Sequence, residues 1–266
     1  MNERHRALDA AIRYIHENLD EPLPLDRLAK YTAYSSFHFS RIFKERYGLP
    51  PLYYISSLRL QRAKELLLSS DLPVRDVAME IGQQSLGTFT TRFTQRVGMT
   101  PNDFRNSVRE AGEQLSVLRG LPDWNDRREV EPSAGEVQGR VSSAESLEGV
   151  ILIGLFPKPI PEGLPLYGTV LPSFGGFRFT GVRPGTYYLM ATSVSWNSQA
   201  EEVLVPKSTL RTRSRTPIVV DKTHAVPYQD VYLYPPAIDD PPILISLSVL
   251  MKNFLSRVYS PARLQP

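Results

Sequence analysis

The chain has 266 residues, of which 41% are hydrophobic and 22% charged, and it contains no cysteine. That composition suits a packed globular chain long enough for two domains rather than a disordered one, and it excludes a disulfide framework or a thiolate metal site. The net charge is +3, and residues 1–110, with 16 basic and 13 acidic side chains, carry all of the excess. This is the sign, in modest amount, that a nucleic-acid surface needs.

No run of about 18 apolar residues suggests a membrane span. The charged start MNERHRALDA lacks the apolar centre of a signal peptide. A soluble, cytoplasmic protein is expected.

In chain order, Leu8, Ala11, Ile12, Ile15 and Leu19 recur at spacings of three and four and predict a first helix. Leu25, Leu28 and Ala29 begin a short second helix with Asp26 in its first turn. The stretch SSFHFSRIFKERYG, Ser35 to Gly48, reads as a third, with Ser35 or Ser36 as N-cap and Gly48 as its stop. Pro50 and Pro51 open a long helix to about Leu68, and Asp71 and Pro73 open another short one. Residues 111–135 are polar and irregular in pattern and read as a linker, although Leu115, Val117, Leu118 and Trp124 are able to dock. Beyond about 135, the runs VQGRV, GVILIGLF, GFRFTGV, GTYYLMATSVSW, IVVD, DVYLY and ILISLSVL read as strands. Most of the 23 prolines lie there, which leaves little room for long helices.

The helical half repeats itself. Leu23-Pro24 and Ala29 match Leu72-Pro73 and Ala78, a shift of 49. Phe39, Phe43 and Gly48 match Phe89, Phe93 and Gly98, a shift of 50, so one residue is added in the second turn. Each unit is a short helix, a tight turn, a second helix and a glycine stop, the proportions of a helix-turn-helix. In the first unit Phe39, Ile42 and Phe43 form the core stripe, while Ser36, Ser40, Arg41 and Lys44 lie on the other face. That polar face suits a DNA major groove. Arg41 is able to contact guanine O6 and N7 bidentately, and Lys44 and Arg46 are able to reach phosphates.

On SSFHFSRIFKERYG, RLQRAKELL and IGQQSLGTFTTRFTQRVGMTPNDFR, residues 1–110 resemble the DNA-binding domain of the AraC/XylS family of bacterial transcription regulators. Phe89, Phe93, Gly98, Thr100, Pro101, Phe104 and Arg105 match the signature of its second unit. The resemblance implies two recognition helices, about 35–47 and 85–97, held by a rigid helix and reading adjacent major grooves. Residues 51–68 would span roughly 27 Å against a groove spacing of roughly 34 Å. By position, the base readers are Phe37, Ser40 and Arg41 in the first unit, and Leu86, Gly87, Thr88 and Thr91 in the second, with Arg92 beside them. The second unit departs from the family pattern. Gln83 stands where an aromatic usually follows the turn glycine, and Leu86-Gly87-Thr88 is poor in long donors. Reading by shape and apolar contact is expected there.

Blander readings stand beside these. Phe37 is either a surface anchor or a groove contact, and Arg59 and Arg62 are either salt-bridged or on phosphate. RTRSR, Arg211 to Arg215, reads as a charged edge strand, or as a segment docking on DNA or on the first domain. Tyr187, Tyr188, Tyr228, Tyr232 and Tyr234 near Trp196 read as sheet packing before they read as a ligand surface. Asp239-Asp240, in PPAIDDPP, reads as a turn. His5, His16, His38 and His224 have no metal-ligand spacing, and no nucleophile, phosphate-loop or zinc-protease motif occurs. No metal, cofactor or enzymatic activity is expected.

In the second half, Gly139-Arg140-Val141, Leu147 with Gly149-Val150, and Phe179 through Gly181-Val182 to Pro184-Gly185-Thr186-Tyr187 resemble the prealbumin-like β-sandwich of carboxypeptidase regulatory-like domains. The expected architecture is an all-α tandem helix-turn-helix domain (1–110), a linker (111–135) and an all-β Greek-key sandwich (136–266). The expected function is sequence-specific transcription regulation on double-stranded DNA. The sandwich would serve for sensing an effector, for pairing two copies or for contact with a partner such as RNA polymerase. The alternative is a DNA-tethered interaction protein whose sandwich is the main binding module.

Overall fold

A computed structural model describes residues 3–124, 135–221 and 223–259. Helix α1 (Glu3–Glu17) buries Leu8, Ala11, Ile12 and Ile15, the stripe read from the spacing. It is followed by α2 (Leu25–Tyr31), α3 (Ser36–Tyr47), α4 (Pro51–Ser69), α5 (Val74–Glu80), α6 (Leu86–Val97), α7 (Pro101–Asn106) and α8 (Val108–Arg119). Pro51 sits in the first turn of α4, where its missing N–H costs no helical bond. Along α4, Tyr54, Ile55, Leu58, Leu60, Ala63 and Leu67 are buried, so this helix is the axis on which both units pack.

The two units share their turn. Ala33 has φ 58 and Gly82, its counterpart, φ 76. In each, the following amide returns to the alanine carbonyl: Tyr34 N to Ala29 O, and Gln83 N to Ala78 O. A left-handed residue is therefore built into both turns, although only the second uses glycine for it.

Residues 111–135 do not begin as the irregular segment their polarity suggested. Val108–Arg119 form α8, which buries Ala111, Leu115 and Leu118. Val117 is exposed, and Trp124 packs against Phe254. The rest of that stretch, 125–134, lies outside the described residues.

The sheet-rich part comprises β1 (Gly135–Ser143), β2 (Gly149–Phe156), β3 (Tyr167–Leu171), β4 (Gly175–Val182), β5 (Gly185–Ser195), α9 (Ala200–Leu204), β6 (Arg211–Arg213), β7 (Ile218–Val220), β8 (Gln229–Leu233) and α10 (Leu247–Val258). One sheet has the order β4-β1-β8, antiparallel between β1 and β4 and parallel between β1 and β8. The other has the order β3-β2-β5-β6, all antiparallel, with β7 pairing the start of β5. Ile151, Ile153 and Leu155 join Val137, Phe177 and Leu233 in a core between these strands.

The all-β expectation is corrected by α10. ILISLSVL alternates like a strand at first, but Leu247, Met251, Phe254, Leu255 and Val258 repeat at three and four, and they are buried on one helical face. Strand β3 also went unread, because Tyr167–Leu171 is short and flanked by turn residues.

Every residue of β2 is buried. Its second face, with Val150, Leu152 and Phe156, belongs to one core with α4, α8, α10 and the helical units. At about 1.5–3 kcal/mol per fully buried large side chain, these three alone bind the two parts of the chain substantially. The parts therefore meet through a shared apolar core.

Candidate nucleic-acid interface

Helices α3 and α6 are built alike. Ser35 caps α3 by accepting from His38 N at 3.3 Å, and Ser85 caps α6 by accepting from Thr88 N at 3.3 Å. Gly48 and Gly98 end them at φ 74 and 88, as left-handed stops. Phe39 and Phe43, and Phe89 and Phe93, are fully buried with ring centroids 5.6 Å apart in each pair. Four aromatic anchors thus fix the inner faces and leave the outer faces to solvent.

On α3 the exposed side carries Phe37, Arg41 and Lys44, with Ser40 half-buried. Phe37 is 81% exposed. Arg41 donates to Glu45 Oε1 and meets His38 Nδ1, both at 3.3 Å. Such an exposed i,i+4 pair is worth about 0.3–0.5 kcal/mol, so the guanidinium is released cheaply. Two residues of the set are half-buried and paired within the chain instead. Ser36 donates to Asp26 on α2. Arg46 pairs with Asp9 at 2.6 Å and donates to Tyr47 Oη, bracing α3 against α1. Burial pushes the Tyr47 hydroxyl up to about 12 in spite of the Arg46 charge.

On α6, Leu86, Gly87, Thr88, Thr91 and Arg92 are all exposed. Arg92 reaches Gln83 Oε1 at 3.4 Å, so the unusual Gln83 orients this arginine. A Cβ added at Gly87 would meet nothing within 4 Å. Among the described residues, no packing explains a glycine there.

Arg59 is bonded to the carbonyls of Leu19 and Glu21, and Arg62 pairs with Glu65 at 3.4 Å. Among the described residues no group of three or more metal-ligating side chains occurs, and no helix is long and apolar enough to cross a membrane.

The sheet-rich part meets the helices elsewhere. Residues 234–246 run as a strap across them. Ile238 O accepts from Tyr54 Oη and lies 3.1 Å from His16 Nε2, whose pKa burial lowers. The carbonyls of Ile243 and Leu244 accept from Lys64 Nζ at 2.9 and 3.3 Å. Ser246 N donates to Val97 O at the end of α6. Lys64 is fully buried, and desolvation pushes its ammonium down to about 7, with Glu65 opposing.

A second clasp joins α6 to the loop after β2. Glu162, buried, accepts from Arg96, from Tyr53 Oη and from Lys158 at 3.1 Å. Arg96 also donates to Ser57 at 2.6 Å and stacks 4.6 Å over the Tyr53 ring. Arg215, from the RTRSR segment, donates to Arg46 O and pairs with Asp239. Its neighbour Arg211 is buried and Arg213 half-buried, and Arg211 exchanges both backbone hydrogen bonds with Tyr234, so β6 presents no open, charged edge there.

Sequence reasoning missed Lys64 and Arg96. The signal for Lys64 was present: it falls between Leu60 and Leu67 at spacings of four and three, in a core position of the α4 stripe. Arg96 is the repeat counterpart of Arg46, and both turn toward an acidic partner.

Two capped helices of one build, with buried aromatic backs and exposed polar fronts on a shared central helix, define a helix-turn-helix DNA-binding protein. A family model described as "Helix-turn-helix domain" matches residues 28–107. Regulatory protein SoxS of Salmonella typhimurium is 32% identical over 101 residues, which cover 38% of this chain and 94% of SoxS. The HTH-type transcriptional regulator YobQ of Bacillus subtilis is 37% identical over 99 residues, but these span only 41% of YobQ and 37% of this chain. An AraC-type transcriptional regulator structure from Chromobacterium violaceum is 28% identical, covering 39% of this chain and 92% of that one, with a TM-score of 0.37. The chain belongs to the AraC-type helix-turn-helix transcription regulators, and a β-rich region follows its helical half.

Proposed function

We propose that the chain reads a two-box DNA site, with α3 and α6 in successive major grooves, and regulates transcription from it. The observation that carries this reading is the pair of outward faces on one buried helix. Phe37, Ser40, Arg41 and Lys44 front the first, and Leu86, Gly87, Thr88, Thr91 and Arg92 the second. Arg41 supplies bidentate readout of guanine, and Lys44 supplies phosphate contact. The second helix reads more by methyl contact and close approach. Ser36 and Arg46 hold α3 in place rather than touch bases.

In this reading residues 1–110 are the DNA module. Residues 136–266, a prealbumin-like sandwich with α10 added, sense a ligand, pair two copies or meet RNA polymerase. The shared core favours regulation over a passive tether, because a tether has no need of the Lys64 strap or the Glu162 clasp.

The test is Arg41→Ala in quantitative binding to a selected site and to random DNA. A loss of about 1–3 kcal/mol at the site, with one base position relaxed, is expected. Equal weakening on both DNAs reduces Arg41 to a phosphate contact. A site preference well below about a thousandfold would favour the tethered interaction protein.

A further inference from the structure

Behind the strap lies a cavity of about 170 Å³, lined by β2, β5, β6 and α10. Much of the lining is apolar, with Leu152, Met190, Ile243, Leu247 and Leu250. Leu164 and Leu166, both more than half exposed, also line it and give it a way in.

Three arginines share the lining with these apolar side chains, Arg213 directly across from Met190 in the β5–β6 pair. Among the described residues, Arg211, Arg213 and Arg257 line the cavity against a single carboxylate, Asp240. Asp240 is already engaged, accepting from Tyr234 Oη and from Ala237 N, each at 3.0 Å. Arg211 donates to the carbonyls of Pro206, Lys207 and Thr209, and Arg257 to those of Asn253 and Gly168. Arg213 differs from both. Its Nη1 and Nη2 are buried and have no hydrogen-bond partner among the described residues. An unmade bond to a buried cation is costly, and the planar fork of a guanidinium matches a carboxylate bidentately.

We propose that this cavity is a binding site for a small organic carboxylate with an apolar body of about one ring, its carboxylate on Arg213. The volume agrees: an apolar cavity of about 150 Å³ accommodates benzene. The apolar lining disfavours inorganic anions, which would leave it uncovered. The site also touches the DNA module. Ile243 and Ile245 line the cavity, while the carbonyl of Ile243 accepts from Lys64 and the side chain of Ile245 lies over Gly98 at the end of α6. A ligand there would press on the strap that runs from α1 and α4 to the end of α6.

The test is calorimetry and thermal melting of the full chain without DNA. The probe is cyclohexanecarboxylate, with cyclohexylmethanol and cyclohexylmethylamine as neutral and cationic controls. The acid should bind saturably and raise the melting temperature, and both controls should bind at least about tenfold more weakly. Arg213→Met should lose acid binding at least about tenfold while melting no lower than the unsubstituted chain, because an unpaired buried cation is removed. A merely structural arginine would instead lower the melting point. Arg213→Lys should recover part of the binding. Equal binding of acid and alcohol, full binding by Arg213→Met, or no saturable binding of the acid overturns the proposal. Since no DNA is present, such a failure leaves the DNA-reading assignment standing.

Discussion

Lys64→Met tests whether the strap holds the two parts of the chain together in solution. The ammonium of Lys64 is fully buried and is pushed from its ordinary 10.5 down to about 7. Between those values the unfolded chain carries more protons than the folded one, so stability must rise with pH. Its contribution is complete above 10.5 and is lost as pH falls toward 7. At about 1.4 kcal/mol per pH unit, the gain from pH 7 to pH 9.5 is about 3 kcal/mol. Above pH 10 the raised pKa values of Tyr47 and Tyr234, each about 12, turn the trend downward. Urea denaturation at half-unit pH steps measures this directly. The unsubstituted chain should climb across the window, and Lys64→Met should be flat. Any loss from the two orphaned carbonyls in Lys64→Met is independent of pH and shifts the whole curve. A flat profile for the unsubstituted chain would mean that Lys64 is solvated and that the strap does not lie on α4.

Gly87→Ala should stabilise α6 slightly, by about 0.5 kcal/mol, since the added methyl meets nothing; on the same protein it should weaken DNA binding, a split checked by melting and by electrophoretic shift. Ala33→Gly should stabilise the first turn by about 0.5–1 kcal/mol in urea denaturation, because φ 58 is left-handed and its repeat counterpart is already glycine. Glu162→Gln should cost about 3 kcal/mol in the same assay, since it strands the buried Arg96 charge.

Much of the helical half was legible because its signals are local. The first serine cap, the glycine stops and the phenylalanine pairs each act within one turn or one helix, and the repeat doubled the stops and the phenylalanines; the Ser85 cap was not read. The outward faces followed from the same spacing. What joins the halves was not legible. Lys64 meets carbonyls 179 and 180 residues away, and Arg96 meets an acid 66 residues away; no periodicity encodes such pairs. The burial of Arg211 and half-burial of Arg213 were likewise hidden, since alternation marks a face without saying which side is wet. Helix α10 was misread because its first residues alternate before the helical spacing becomes visible.

The most direct measurement is selection from a random DNA library with the purified full-length chain, beside Arg41→Ala. The account predicts enrichment of two boxes about one helical turn, roughly 10 base pairs, apart, with Arg41→Ala losing information at one position of one box. A single enriched box, or no enrichment, would contradict two reading helices held on one axis.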